Sequence, residues 1–210
     1  MPDAERERRI LEVAAELLLR HGYRRVTIDD IAHGAGIGKG TVYLHWKTRE
    51  ALFAAVFEQE VQGAIDGLVD ALRADPDGFL LHRLARAYFL AVMERPLLRA
   101  FLLSDPEVLG RLARHDIDRE KRHDVISREY CQLLVEHHLL HPTLTAEATI
   151  VTFLATFEGF LRAGAAAEDP LRWADLLEGT VARAFWSGRR PSKSTRESLT
   201  KHVIELFTSR

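Results

Sequence analysis

Apolar residues in this chain return every three or four positions from one end to the other, and no run alternates long enough to build a strand. That period predicts an all-α protein. In the first segment Ile10, Val13, Leu17 and Leu18 share one helical face, and His21-Gly22 stops it, Gly22 suiting a left-handed C-terminal cap. Thr27 reads as the N-cap of a short second helix. Asp29 and Asp30 complement its positive end, and Asp30 can close a capping box. After Gly34, Ala35-Gly36-Ile37 forms a tight turn, and a third helix begins at Gly38 or Lys39 and ends before Thr48. With Ile31, Ala32, Ile37 and Val42 buried between them, the second and third helices make a helix-turn-helix.

From Thr48 the positions Leu52, Phe53, Val56, Phe57, Val61, Ile65, Leu68 and Leu72 describe one long helix, ended by Ala74-Asp75-Pro76-Asp77-Gly78. About 25 residues at a rise of ~1.5 Å give ~37 Å, enough to bridge two domains. Further helices are predicted at 79–94, 97–113, 117–140, 146–167, 171–187 and 196–208, punctuated by Pro96, Pro106, Pro142, Asp169-Pro170 and the polar run 187–194. The outline is an N-terminal three-helix bundle over 1–47 and a larger helical domain over 48–210.

Composition bounds the chemistry. Of 210 residues, 47% are hydrophobic and 29% charged, which fits a globular chain rather than a disordered one. The net charge of −2 carries no global basic signature, so any nucleic-acid contact must use a local patch. Residues 1–50 hold nine Lys/Arg against eight Asp/Glu, so placement rather than bulk charge has to supply it. Cys131 is the lone cysteine and excludes an intramolecular disulfide, which fits a reducing, cytoplasmic setting; it reads as a small core residue. The opening MPDAERERR does not resemble a signal peptide. The most apolar stretch, 150–167, carries Glu158 and Arg162, so no membrane association is expected.

The third helix is the chemically unusual one. Gly38 and Gly40 remove side-chain bulk at its start, and Gly40 inside a helix costs ~1 kcal/mol against Ala with no evident packing return. A helix that meets a polyanion closely gains from that absence of bulk. Lys39 and Thr41 can offer a charge and a hydroxyl to phosphates, Tyr43 and His45 can reach a groove wall or a base edge, and Lys47 and Arg49 extend a basic rim. Val42 and Trp46 repeat the buried phase of Ile37 and read as core.

The stretch TIDDIAHGAGIGKGTVYLHWKTREALF, residues 27–53, resembles the signature of the TetR family of bacterial transcriptional regulators, and the likeness extends over about residues 5–57. The resemblance implies that Thr27, Lys39, Thr41, Tyr43, His45 and Lys47 contact DNA and that Gly40 permits close backbone approach. Leu44 stands at a readout position, where an apolar side chain can meet a thymine methyl. Three departures stand out. Gly38 replaces a common Ser or Thr, Trp46 replaces Phe, and Asp29 occupies a position that is often polar or basic, so Asp29 is left out of the contact set.

Beyond residue 57 only the helical layout resembles the family. Ala148, Thr152, Ala155, Gly159 and Ala163 place small residues on successive turns, a stripe usable for core packing or for a second helix. The resemblance implies the latter, a homodimer built from this helix and the one at 171–187. It also implies a small-molecule pocket for a partly apolar effector. Phe57, Val61, Tyr88, Phe89, Met93, Phe101, Tyr130, Phe153 and Phe157 are the candidates to line it.

Glu136, His137, His138 and His141 crowd one helix end, and His137 with His141 has the spacing of a metal pair. A charged helix end explains them more simply, so no metal and no cofactor is expected. No phosphate loop, nucleotide fingerprint or hydrolase elbow appears, and no enzyme is expected. The expected function is a sequence-specific transcriptional regulator, a repressor released from an inverted-repeat double-stranded DNA operator by a small molecule. The alternative is a regulator of the same fold controlled by a protein partner.

Overall fold

The computed structural model describes residues 3–103, 117–164 and 169–209, and in it every element of regular length is helical. The chain divides into two compact units, Met1–Gly63 with Arg95–His115, and Ala64–Glu94 with Asp116–Arg210.

In the first unit, α1 (Asp3–His21) buries Ile10, Leu11, Ala14 and Leu18, a stripe at helical spacing. It stops at Gly22, whose φ of 72° is the expected left-handed cap. Helix α2 (Ile28–Ala35) opens on the predicted capping box. The Thr27 side chain accepts from the Asp30 N–H, and the Asp30 carboxylate accepts from the Thr27 N–H at 2.9 Å. Gly36 turns the chain at φ 70°, and the Ile37 N–H returns to the Ala32 carbonyl. Helix α3 (Lys39–His45) follows, with Gly38 as its N-cap and no side-chain cap. Thr48 then caps α4 (Arg49–Ala74), its hydroxyl accepting from the Ala51 N–H.

The core of this unit draws on every one of these helices and extends past the predicted boundary at residue 48. Leu52, Phe53, Val56 and Phe57 of α4 are buried in it, and so is Leu97 of α6 (Pro96–Leu102). Three of the candidate pocket residues, Phe57, Val61 and Phe101, lie in this unit. Phe57 is core, and its ring packs at 5.1 Å from that of Phe101 within the same unit. The aromatic pair is packed into the core of this unit.

The second unit is built on α5 (Leu81–Met93) packed along α9 (Pro170–Phe185). Leu84, Ala85, Phe89 and Val92 of α5 and Ala174, Leu177 and Val181 of α9 are buried. Arg83 and Arg86 of α5 pair with Asp175 and Glu178 of α9 along the solvent edge of that contact. Around it lie α7 (Ile117–Glu136), α8 (Ala146–Gly164) and α10 (Lys193–Thr208). Helix α7 ends four residues before the predicted limit, where His138 takes a left-handed φ of 55°. The predicted helix over 97–113 is seen from Pro96 to Leu102 with Leu103 as its C-cap, and residues 104–113 lie outside the described residues, as do 165–167 of the one over 146–167.

Candidate nucleic-acid interface

Helix α3 is held from behind and open in front. Val42 is fully buried and Trp46 nearly so, as predicted, and these two anchor the helix in the core. On the opposite face Gly40 is exposed, and beyond its chain neighbours and the backbone of its own helix no atom of the described residues lies within 4 Å of where a Cβ would stand. None of the described residues requires glycine there, so the space it leaves is available to an outside partner. Leu44 is 75% exposed, an apolar side chain carried into solvent on a helix that already has a buried face. Tyr43 is exposed beside it, and Thr41 is half-buried. Lys47 is exposed and donates to the Tyr43 carbonyl at 3.3 Å, which places its ammonium at the C-terminal end of α3. Thr27 is exposed at the start of α2, its hydroxyl donating to Asp30 at 2.6 Å. That carboxylate is held below its usual range by the hydrogen bonds it accepts from Thr27.

Three side chains have partners that local spacing does not reveal. Lys39 pairs with Asp29 at 2.7 Å, across the turn of the helix-turn-helix, and this hydrogen bond holds the ammonium more basic than usual. His45 has only 14% of its side chain exposed; its Nε2 stands 3.5 Å from the Asp3 carboxylate and its ring packs on Trp46. In this arrangement it braces α3 against the start of α1 rather than facing outward. Arg49 does not extend a basic rim. It turns inward, donating to the carbonyls of Tyr23 and Val26 and covering the Tyr23 ring.

In the second unit the small-residue stripe faces outward. Ala148, Thr152, Ala155, Gly159 and Ala163 are all exposed, while Thr149, Phe157, Leu161 and Gly164 face in. The described residues of the chain therefore leave the stripe open. Val151 and Leu154 on α8 and Leu171 and Leu176 on α9 are exposed as well, and the Thr152 hydroxyl is satisfied by the Ala148 carbonyl at 2.6 Å.

The candidate pocket residues of this unit pack against one another. The rings of Tyr88 and Phe157 stack at 5.2 Å, with Phe89 and Phe153 also against Phe157. Burial pushes the Tyr88 phenol up to about 12. Tyr130 donates its hydroxyl to the Phe79 carbonyl at 2.9 Å and is a core tether. A cavity of about 10 Å³ lies among Leu80, His82, Leu134, Phe185 and Trp186, room for roughly one water and lined by none of the predicted residues. No group of three metal-ligating side chains occurs among the described residues, and burial raises the Cys131 thiol to about 11. No helix among them is long and apolar enough to cross a membrane.

A helix-turn-helix with an open third helix, followed in the described residues by further helices, defines a class of fold, the all-helical helix-turn-helix proteins. Residues 10–56 match the model of the bacterial regulatory proteins of the tetR family. Over 77 residues the chain is 32% identical to the HTH-type transcriptional activator FasR of Mycolicibacterium smegmatis, covering 37% of this chain and 35% of that one. The match thus spans about a third of that relative's length. Over 182 residues it is 25% identical to the HTH-type transcriptional repressor AcnR of Corynebacterium glutamicum, covering 83% and 91%. The fold is shared with a gamma-butyrolactone receptor (ArpA-like protein) of solved structure, at 21% identity, a TM-score of 0.62 and coverage of 98% and 99%. Over residues 10–56 the chain is thus similar to the TetR family of bacterial transcriptional regulators.

Proposed function

We propose that the chain is a DNA-binding transcriptional regulator and not an enzyme, acting as a homodimer that represses from an inverted-repeat operator and is released by a small molecule. The observation that carries the reading is the outward face of α3, where the exposed Gly40, Tyr43 and Leu44 lie between Lys39 and Lys47 on a helix fixed by Val42 and Trp46. Tyr43 and Leu44 supply the groove-facing surface, while Lys39, Thr41, Lys47 and Thr27 meet phosphates. His45 joins them only if it leaves Asp3.

The exposed stripe of α8 with Leu171 and Leu176 of α9 is the proposed dimer surface, and two-fold symmetry then calls for half-sites separated by whole helical turns. Repression and small-molecule control draw support from the names of AcnR and of the gamma-butyrolactone receptor. Helix α4 runs unbroken from Arg49 to Ala74 and contributes residues to both units, a continuous element on which an effector can act. Control by a protein partner is the second reading, favoured by the way Tyr88, Phe89, Phe153 and Phe157 fill space with one another.

Fluorescence anisotropy with the DNA upstream of the chain's own gene tests the proposal. Salt-dependent binding at low protein concentration, a two-fold footprint and release by a small molecule are expected. Absence of binding to that DNA and to random duplexes alike overturns it.

A further inference from the structure

We infer that Asp29 is a built-in competitor for phosphate at Lys39, setting how strongly the helix-turn-helix holds DNA of any sequence; the inference rests on the DNA-binding reading above. The two residues stand ten apart in the chain, one in the first turn of α2 and the other at the first position of α3, and their side chains meet at 2.7 Å. Both remain open to solvent, with 49% of the Lys39 side chain and 66% of the Asp29 side chain exposed. An ion pair this exposed contributes little to folding stability. The cap of α2 does not need Asp29 either, because Thr27 and Asp30 complete the capping box between them. The consequence of the pair therefore falls on what else Lys39 can reach.

The local charge balance over residues 27–47 makes that consequence large. The stretch holds Lys39 and Lys47 against Asp29 and Asp30, so it carries no net charge apart from its histidines. The Asp30 carboxylate is engaged in the capping box, whereas that of Asp29 has Lys39 as its partner. For Lys39 to reach a phosphate, it must leave Asp29. The phosphate contact releases a counterion from DNA, and the vacated carboxylate takes one up, so the ion count of the step is close to zero. Without Asp29 the same contact releases about one counterion net, and binding gains the corresponding dependence on salt.

The test uses the full chain, short random-sequence duplexes and the DNA upstream of its gene, with affinity measured across a salt series. Asp29→Asn is expected to tighten binding several-fold on both DNAs and to steepen the log–log salt slope by roughly one unit per protomer. In a Lys39→Met background the same substitution leaves the slope nearly unchanged and gives a smaller gain. Circular dichroism and the melting temperature show that both variants fold. Equal gains from Asp29→Asn in the parent and in the Lys39→Met background identify a general charge effect and overturn the inference, as does an unchanged slope in Asp29→Asn. Failure of the parent chain to bind either DNA instead removes the DNA-binding reading, and the inference with it.

Discussion

Arg49 lies over the Tyr23 ring with its guanidinium carbon 4.3 Å from the ring centre, while the same group donates to the backbone carbonyls of Tyr23 and Val26. One side chain at the start of α4 thus closes the loop between α1 and α2. The Tyr23 hydroxyl adds a second tie, donating to Glu50 at 3.2 Å.

Replacing Arg49 with Lys keeps the charge but loses the planar fork that serves two carbonyls and a ring together. The expected cost is about 1–3 kcal/mol, from charge-assisted hydrogen bonds and a cation–π contact. Thermal unfolding of Arg49→Lys against the parent measures it. An unchanged melting temperature would show that the clamp is dispensable.

Leu44 offers the cleanest separation of reading from folding. At 75% exposure its replacement by Ser removes almost no buried surface, and stability is expected to stay within about 0.5 kcal/mol of the parent. Preference among operator variants that differ in thymine should change, by roughly 1 kcal/mol at one base position per half-site. Competition binding against a panel of single-base variants is the measurement. A uniform loss across the panel would place Leu44 away from the bases.

At Gly159 a Cβ would meet none of the described residues within 4 Å beyond its chain neighbours and the backbone of its own helix. Gly159→Arg should therefore fold normally, with helix content retained, yet put a bulky cation into the proposed seam. Sedimentation is expected to show monomers, and operator binding should fall with the loss of the second recognition helix. A stable dimer carrying this substitution would locate the interface elsewhere.

His82 is buried, its ring 5.2 Å from that of Trp186, and desolvation followed by the neighbouring Arg83 lowers its pKa against the opposing pull of Asp75 and Asp77. A depressed histidine is neutral in the fold while its unfolded counterpart takes up a proton below about 6.5. The unfolded state then binds more protons, so stability falls as pH drops below that value and is fully present above it. The slope due to this one group is at most about 1.4 kcal/mol per pH unit. His82→Gln should flatten the dependence of melting temperature on pH between about 7 and 5 relative to the parent. Identical profiles would mean that the buried ring charges as readily as in the unfolded chain.

Local patterns in the sequence were enough for the helical character, the Thr27–Asp30 capping box, the left-handed Gly22, the tight turn at Gly36 and the buried phase of Val42 and Trp46. Each depends on residues within one or two turns of each other, where helical period and cap chemistry act directly. Partners from distant segments were decided only by the tertiary structure. Asp3 meets His45 across the first unit, Asp29 meets Lys39 over the turn, and Arg49 folds back onto Tyr23 rather than joining a basic rim. The same holds for Phe57 and Phe101, whose apolar rings suited a ligand wall and a core equally until the fold brought them together at 5.1 Å. The small residues of α8 admitted core packing and a second helix alike, and only the packing of Phe157 and Leu161 inward turned Ala155 and Gly159 to the surface. Hydrophobic period marks which face of a helix is apolar, but it does not record which apolar surface that face meets; that choice belongs to contacts made far along the chain.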